Sequence, residues 1–390
     1  MQKSSESRHA FLAAVTLALM PLVAGAADDP ALLVETGVVI DALRPRSAPA
    51  SVLSHVDVRL TADAGKGLGW TGTVFRFEAL ADHGGKPNGR VGTLQGLSNI
   101  EVRTNAVRLY SLWASHDFAS GINVLAGLYD LNSEFYATEA SSSLIHPAFG
   151  IGSELGQTGR NGPSIFPDLA VGLRVRARSD DGYYAQGVAL DAVAGDHADD
   201  VFAVRWRRAD GALLVGEAGW QGEPVLDSEI PSRWGIGAWG YTKAVRRLGG
   251  VGAATNLGVY VIGQAPIGSA ASRAPVAFVR AGVADPRVNR LAAALDAGVT
   301  VDHPWGPSGP ATLTSGIAIA RLGRAYRAAQ ATFVRAEEVA FEIGARWRFG
   351  RALAVQPLVQ RVWNVAGRRD ATATVIGVRA IWSFASNAGP

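Results

Sequence analysis

Apolar and polar residues alternate one by one along much of the chain. In residues 338–349, Val339 and Phe341 fall on one face of an extended chain, whereas Glu338 and Glu342 fall on the other. Strict alternation over about ten residues predicts a β-strand with one apolar and one polar face. The pattern recurs in other segments, including residues 52–63 and 168–178.

The predicted strands have a length typical of membrane-spanning strands. They run for about ten residues, and a tilted strand needs roughly 9–11 residues to cross a bilayer. In such a barrel the apolar face contacts lipid and the polar face lines water. The sequence therefore predicts an all-β fold, a transmembrane antiparallel β-barrel that occupies residues 28–390 as a single domain. Aromatic residues near the strand ends are predicted to form an interfacial girdle: Trp70, Tyr110, Trp113, Trp220, Trp234, Tyr241, Trp347, Trp363 and Trp382.

The number of strands follows from a parity argument. A first count gives about 17 segments, but bacterial single-chain barrels have an even number of strands. Residues 349–352 predict a tight periplasmic turn, and counting back from it assigns residues 201–208 to an outer loop. The prediction is then about 16 strands.

A long segment without periodicity follows the fifth predicted strand, on the extracellular side. Residues 132–166 contain many serines and glycines together with apolar residues such as Phe135 and Ile145. Loops of this length are usually functional or disordered, and the apolar content argues against disorder. We predict that this loop folds into the barrel and constricts it. The alternative is a loop that packs over the rim.

The N-terminus predicts export. A charged start, an apolar stretch over residues 10–24 and the small residues 24–27 together predict a Sec-type signal peptide in residues 1–27. The alternative, a membrane anchor, would be short for a span. Beyond residue 27 no apolar run approaches the ~20 residues of a membrane helix.

Composition narrows the classes of function. The chain is 48% hydrophobic and 18% charged, with 46 glycines and no cysteine. Disulfides, thiolate chemistry and cysteine-ligated zinc are therefore excluded. The net charge of +3 comes without a basic run, so no nucleic acid partner is predicted.

No motif predicts catalysis, a metal or a cofactor. Residues 235–240 match G-x-G-x-x-G, but they lie in an alternating segment with no helix after it, so we interpret them as strand. The seven histidines show no metal-ligand spacing.

The charged residues indicate a polar channel. Because a charge on the lipid face costs ~2–4 kcal/mol near the midplane, the strand arginines are predicted to face inwards, among them Arg76, Arg108, Arg174 and Arg176. The long loop contributes the acidic residues Glu134, Glu139 and Glu154. A basic wall opposite an acidic loop would set a transverse field across the constriction. Alternatively, these charges only keep the interior wet.

Three blocks resemble the central signature of the carbohydrate-selective porins. They read LYDLNSEFY at 128–136, HPAFGIG at 146–152 and NGPSIFP at 161–167. The resemblance implies a sixteen-stranded barrel with periplasmic termini and a channel narrowed by outer loops for monosaccharides. It carries binding roles over to Asn132, Glu134 and Asn161, with Arg160 beside them. The loops after strands one and three, around Pro45 and Lys86, are predicted to be short, which would leave a wider constriction.

Three hypotheses of function follow. The first is an outer-membrane porin that passes small carbohydrates by facilitated diffusion, with no catalysis and no cofactor, surrounded by outer-membrane lipid and lipopolysaccharide. The arginine excess keeps an anion or phosphate porin as the alternative within transport, and a barrel enzyme acting on lipid is the alternative of another class. The sequence leaves monomer and homotrimer open.

Overall fold

The computed structural model describes residues 31–195, 200–204, 206–224, 230–268, 274–303, 311–330 and 334–385. The predicted signal peptide, residues 1–27, lies outside them. Within the described residues, sixteen strands form one closed barrel in which each strand pairs antiparallel with its neighbours in sequence. Strand β16 closes the sheet on β1, from Glu35 opposite Ala385 to Pro45 opposite Val375. The predicted fold and strand number are confirmed.

The strands are β1 Leu32–Pro45, β2 Ser51–Asp63, β3 Thr73–Gly84, β4 Ala106–Asp117, β5 Ile122–Tyr129, β6 Ala170–Arg178, β7 Tyr183–Asp191, β8 Ala212–Gln221, β9 Arg233–Arg246, β10 Ala253–Pro266, β11 Val276–Ala284, β12 Leu291–His303, β13 Ala311–Leu322, β14 Glu337–Phe349, β15 Leu353–Trp363 and β16 Thr372–Ala385. The α-helices are short: Ala64–Leu68, Pro87–Val91, Ser153–Gly156 and Arg324–Ala328. Four 3₁₀ turns cover Leu131–Ser133, Glu139–Ser141, Pro147–Phe149 and Val365–Gly367. Among the described residues, no helix has the length and hydropathy that crossing a membrane requires. The glycine-rich residues 235–240 lie within β9, as interpreted from the sequence.

The outer surface of the barrel is apolar, as the alternation predicts. On β8, Leu214 is half exposed on the outside, while Glu217 is buried inside. Ile317, Ile343 and Val259 are similarly exposed on other strands. The outward side chains therefore form the surface that contacts lipid.

The two ends of the barrel differ in their connections. The end at which β1 begins and β16 ends has short connections such as residues 350–352, where Gly350 takes a positive φ of 65° in the turn between β14 and β15. The opposite end carries the long connections, including residues 192–211, so the assignment of residues 201–208 to a loop is confirmed.

The connection between β5 and β6 folds into the barrel interior. We call residues 130–169 the inward segment; Phe135, Tyr136 and Leu155 in it are fully buried. Tyr136 stacks on Tyr260 of β10 with ring centroids 4.0 Å apart. The prediction that this loop folds inwards is confirmed.

A second connection also folds inwards, which corrects one prediction. The loop between β3 and β4 is not short: it runs over residues 85–105, which we call the second inward segment. Leu97 in it is fully buried, and Ser98 Oγ donates to Asp41 Oδ2 of β1 at 2.7 Å. Its apolar residues, such as Leu97 and Ile100, lack strand periodicity, so the sequence pattern does not show the length of this loop. The loop after β1, residues 46–50, is short as predicted.

Three residues of the predicted aromatic girdle face the interior instead. Tyr110, Trp113 and Tyr241 contact inward segments or interior arginines, whereas Trp70 and Trp234 are exposed. In β4 the cause is a β-bulge, because Glu78 pairs with Ser111 and Ala79 with Leu109, leaving Tyr110 as an extra residue. A bulge shifts the alternation by one residue, which turns Trp113 inwards.

Candidate functional site

Three buried glutamates of the wall hold the two inward segments. Glu217 Oε2 accepts the backbone N–H of Tyr136 at 2.9 Å. Glu342 accepts the N–H groups of Ile145 and His146, each at 2.8 Å. Glu338 accepts the N–H groups of Leu94 and Gln95 of the second inward segment at 2.8 and 3.0 Å, together with that of Ala366 at 2.8 Å. These charge-assisted bonds satisfy loop N–H groups that would otherwise be buried without partners.

Arg280 of β11 holds the inward segment from the other side. Its guanidinium donates to the carbonyls of Tyr136, Ala148 and Gly150 at 3.3, 3.1 and 2.5 Å. Asp296 of β12 balances its charge at 2.9 Å. Arg280 is fully buried, so it is a structural clamp and not part of the water-lined wall.

A cavity of about 780 Å³ remains between the inward segment and the wall formed by β2–β6; we call it the inner cavity. Arginines line it alongside carboxylates and aromatic rings. The arginines are Arg59, Arg76, Arg174, Arg176 and Arg178, and the acidic residues are Glu78, Asp117, Asp130 and Glu134.

Most of these arginines are paired with carboxylates. Arg174 forms a two-pronged contact with Glu134, with Nε–Oε2 at 2.8 Å and an Nη–Oε1 distance of 2.9 Å. Arg176 lies 3.9 Å from the same carboxylate. Arg59 contacts Glu78 at 3.0 Å. The wall is therefore polar and densely hydrogen-bonding, but its positive charge is largely compensated.

Aromatic rings lie beside these charges. The Arg76 guanidinium stands 6.0 Å from the ring centroid of Trp113. Phe166 of the inward segment packs against Tyr110 at 6.2 Å and against His55 at 5.6 Å. A solute in the inner cavity thus meets flat apolar surfaces next to donors and acceptors.

Asp130 lies at the junction of the wall and the inward segment. Tyr110 Oη donates to its Oδ2 at 2.6 Å and the Asn132 N–H donates to its Oδ1 at 2.8 Å. Burial raises the pKa of this carboxyl to about 6, although both hydrogen bonds favour its charged form.

Four of the ten residues singled out from the sequence meet around the inner cavity: Arg76, Glu134, Arg174 and Arg176. Asn132 lines a neighbouring cavity, where its Nδ2 donates to the carbonyl of Gly150 at 3.0 Å.

Three others do not line the inner cavity. Arg108 is buried in a salt bridge with Asp82. Glu154 is buried and accepts from Tyr136 Oη at 2.9 Å, and burial raises the pKa of its carboxyl to about 7. Glu139 is exposed on the inward segment.

The last two residues lie where the inward segment meets the loop between β7 and β8. Arg160 is exposed and contacts Asp210 at 3.1 Å. Asn161 Nδ2 donates to the carbonyl of Ala194 at 3.0 Å. The ten residues are thus spread over the inner cavity, the packed interior and the rim.

The sequence did not assign Glu78, Asp130 or Trp113 to the site, and it placed Trp113 in the aromatic girdle instead. Glu78 could have been found, because it lies two residues after Arg76 and therefore on the same strand face. Asp130 precedes the predicted loop boundary by two residues. The inward turn of Trp113 depends on the bulge in β4, for which the local sequence gives no signal.

Comparison with known proteins gives consistent results. The family model described as carbohydrate-selective porin, OprB family, matches residues 49–384. No curated protein matches significantly. The fold is similar to the high-pH structure of Pseudomonas putida OprB, with a TM-score of 0.76, 17% identity and coverage of 90% of this chain and 93% of that one. For the low-pH structure of the same protein these values are 0.54, 14%, 90% and 92%.

The family match spans most of the chain, and the closed sixteen-stranded barrel agrees with it. This chain belongs to the carbohydrate-selective porin family and is a carbohydrate porin of the outer membrane.

Proposed function

We propose that the porin carries uncharged sugars of about monosaccharide size by passive diffusion through the inner cavity, without catalysis and without a cofactor. The observation that carries this proposal is the pairing of Arg174 with Glu134 and of Arg59 with Glu78, close to Trp113. Sugars present hydroxyl groups that such pairs bond, and C–H faces that pack on aromatic rings. Passage requires binding that is weak and repeated. A row of arginine–glutamate pairs suits this, because each group already bonds its partner and binds a sugar hydroxyl only weakly.

The ten residues singled out from the sequence have distinct roles in this proposal. Arg76, Glu134, Arg174 and Arg176 contact the passing sugar, and Asn132 does so in the neighbouring cavity. Arg108, Glu139 and Glu154 support the walls. Arg160 and Asn161 shape the rim. Residues 1–27 act as the export signal.

An anion or phosphate porin is the second candidate, because five arginines line the inner cavity. The ion pairs argue against it, since each carboxylate at contact distance compensates an arginine. Oligomeric state and contacts with lipopolysaccharide do not distinguish the two candidates.

Glu134→Gln tests the proposal. The substitution removes the charge that Arg174 and Arg176 share, so we expect selectivity to shift towards anions and glucose uptake to fall several-fold. Reversal potentials in planar bilayers and glucose uptake into proteoliposomes measure both effects.

Glu337→Gln is the matched control, because Glu337 is exposed and precedes the inward-facing Glu338 on β14. Strong anion selectivity of the unmodified porin without sugar uptake would establish the second candidate instead. Lipid turnover in the vesicles without conductance would establish an enzyme and remove the porin proposal.

A further inference from the structure

Three cavities follow one another from the long-loop end of the barrel inwards. An outer cavity of about 500 Å³ shares Gln95, Pro147 and Gln157 with a smaller cavity of about 270 Å³, which we call the neck. The neck in turn shares Asp130 and Phe166 with the inner cavity of about 780 Å³. The shared lining residues place the three cavities next to one another, with the smallest in the middle.

The neck lies between the two inward segments. Its polar side chains are mainly amides, and among its described lining residues Asp130 is the one ionisable side chain. The polar side chains are Gln95, Asn99, Asp130, Asn132, Ser153 and Gln157. By contrast, the outer cavity carries Lys86, Glu101 and Arg103, and the inner cavity carries five arginines.

Hydrogen bonds hold these amides in fixed positions. Gln157 Nε2 donates to the Leu94 carbonyl at 2.6 Å, and Ser153 Oγ donates to Gln95 Oε1 at 3.3 Å. Both bonds join the inward segment to the second inward segment. Asn99 Oδ1 accepts from Arg379 at 2.6 Å. The neck is therefore built by contacts between the two segments and does not belong to either alone.

Apolar side chains complete the neck: Pro147, Ile151, Ile165 and Phe166. A solute that enters must give up part of its hydration. A neutral polyol exchanges water for amide groups and sets its C–H face against the apolar side. An ion loses hydration there, and among the described lining residues only Asp130 offers a charge in return, so entry of an ion is costly.

We propose that the neck is the selectivity step of the porin, admitting neutral sugars and retarding sugars that carry a charge of either sign. This inference rests on the proposed function, since it assumes that sugars use this route. It assigns specificity to Asn99, Gln157 and their neighbours, and leaves the inner cavity as a binding region that follows selection.

Asn99→Asp and Gln157→Glu test the neck. Each adds one negative charge at nearly constant shape, and each keeps the oxygen that accepts from Arg379 or Arg290. Gln157→Glu also removes the Nε2 donor to the Leu94 carbonyl, so Asn99→Asp is the primary variant. Uptake of labelled glucose, glucosamine and gluconate into proteoliposomes at zero membrane potential gives the readout. The unmodified porin should take up glucose faster than both charged analogues.

In both variants we expect the glucosamine-to-glucose ratio to rise about fivefold or more and the gluconate-to-glucose ratio to fall by a similar factor. A unit charge at contact distance produces about this change even in bulk water. Asn364→Asp is the matched control, because Asn364 lies in the β15–β16 connection at the same end but lines none of the three cavities.

Each outcome decides the matter. Equal uptake of the three sugars by the unmodified porin would contradict the assignment of selectivity to the neck. Unchanged uptake ratios in both variants, or equal changes of these ratios in the control, would contradict it as well. In those cases glucose still passes and the proposed function stands. A porin that takes up no sugar at all removes the proposed function and the inference together.

Discussion

Glu154 and its surroundings show how a single residue couples the inward segment to pH. Its carboxyl accepts from Tyr136 Oη, and the Arg280–Asp296 pair lies close to it. Burial raises its pKa to about 7, well above the ordinary value of a glutamate. The folded protein therefore holds a proton here that the unfolded chain releases above about pH 4.5.

We predict that the porin loses stability as the pH rises from about 4.5 to about 7. A raised carboxyl pKa gives stability that is complete below the unfolded pKa and is lost as the pH passes the folded value. The melting temperature in detergent should fall between pH 5 and pH 8.5, and Glu154→Gln should flatten much of that fall. Asp130, with its pKa raised to about 6, contributes in the same direction at lower pH. An equally steep fall in the Glu154→Gln variant would contradict this assignment.

The inward segment is a loop that becomes rigid only through the wall it touches. Its N–H groups donate to Glu217 and Glu342, and its carbonyls accept from Arg280. The backbone fits so closely that a Cβ on Gly282 of β11 would stand 1.9 Å from Glu154 Oε1. Because hydrogen bonds to charged groups contribute about 1.5–3 kcal/mol each, a few such contacts decide where the segment lies.

Glu342→Gln should loosen the inward segment without unfolding the barrel. The amide keeps one acceptor for the N–H groups of Ile145 and His146, which now share two carboxylate oxygens. We expect noisier and larger single-channel conductance and faster proteolysis near residue 145.

Glu337→Gln on the same strand is the control, because Glu337 is exposed and is not among these anchors. Unaltered conductance and proteolysis in Glu342→Gln would show that the other anchors suffice.

At the scale of the whole molecule, the two faces of the barrel sheet lie in different environments. Lipid contacts the outward apolar side chains, and the interior is divided among packed loops, ion pairs and cavities. The inward face is therefore not polar throughout: Leu213 and Val215 of β8 face inwards and are buried against the inward segment.

An arginine on the outer face should destabilise the barrel according to its depth. Ile317→Arg, in the middle of β13 and on the exposed face, should lower the free energy of unfolding from lipid vesicles by about 2–4 kcal/mol. Val251→Arg is the control, because Val251 is fully exposed in the β9–β10 connection and should change stability by less than about 1 kcal/mol. Equal effects of the two substitutions, measured by denaturant titration, would contradict the proposed lipid contact.

The sequence alone determined the barrel. Alternation with period two is a local property, and a strand with one apolar face has the same consequences wherever it pairs, so the strand number, the long loop and most arginine orientations followed from it. The resemblance of residues 128–167 to the porin signature supplied the function.

Only the tertiary structure decided which charges meet. Glu134 pairs with Arg174, which lies forty residues away in the sequence. Glu338 accepts the backbone N–H of Leu94, from the second inward segment. The bulge at Tyr110 turns Trp113 inwards. The loop after β3, expected to be short, contributes Gln95 and Asn99 to the neck. Contacts of this kind depend on how loops fill the space that the closed wall leaves, and that space does not exist until all sixteen strands have paired.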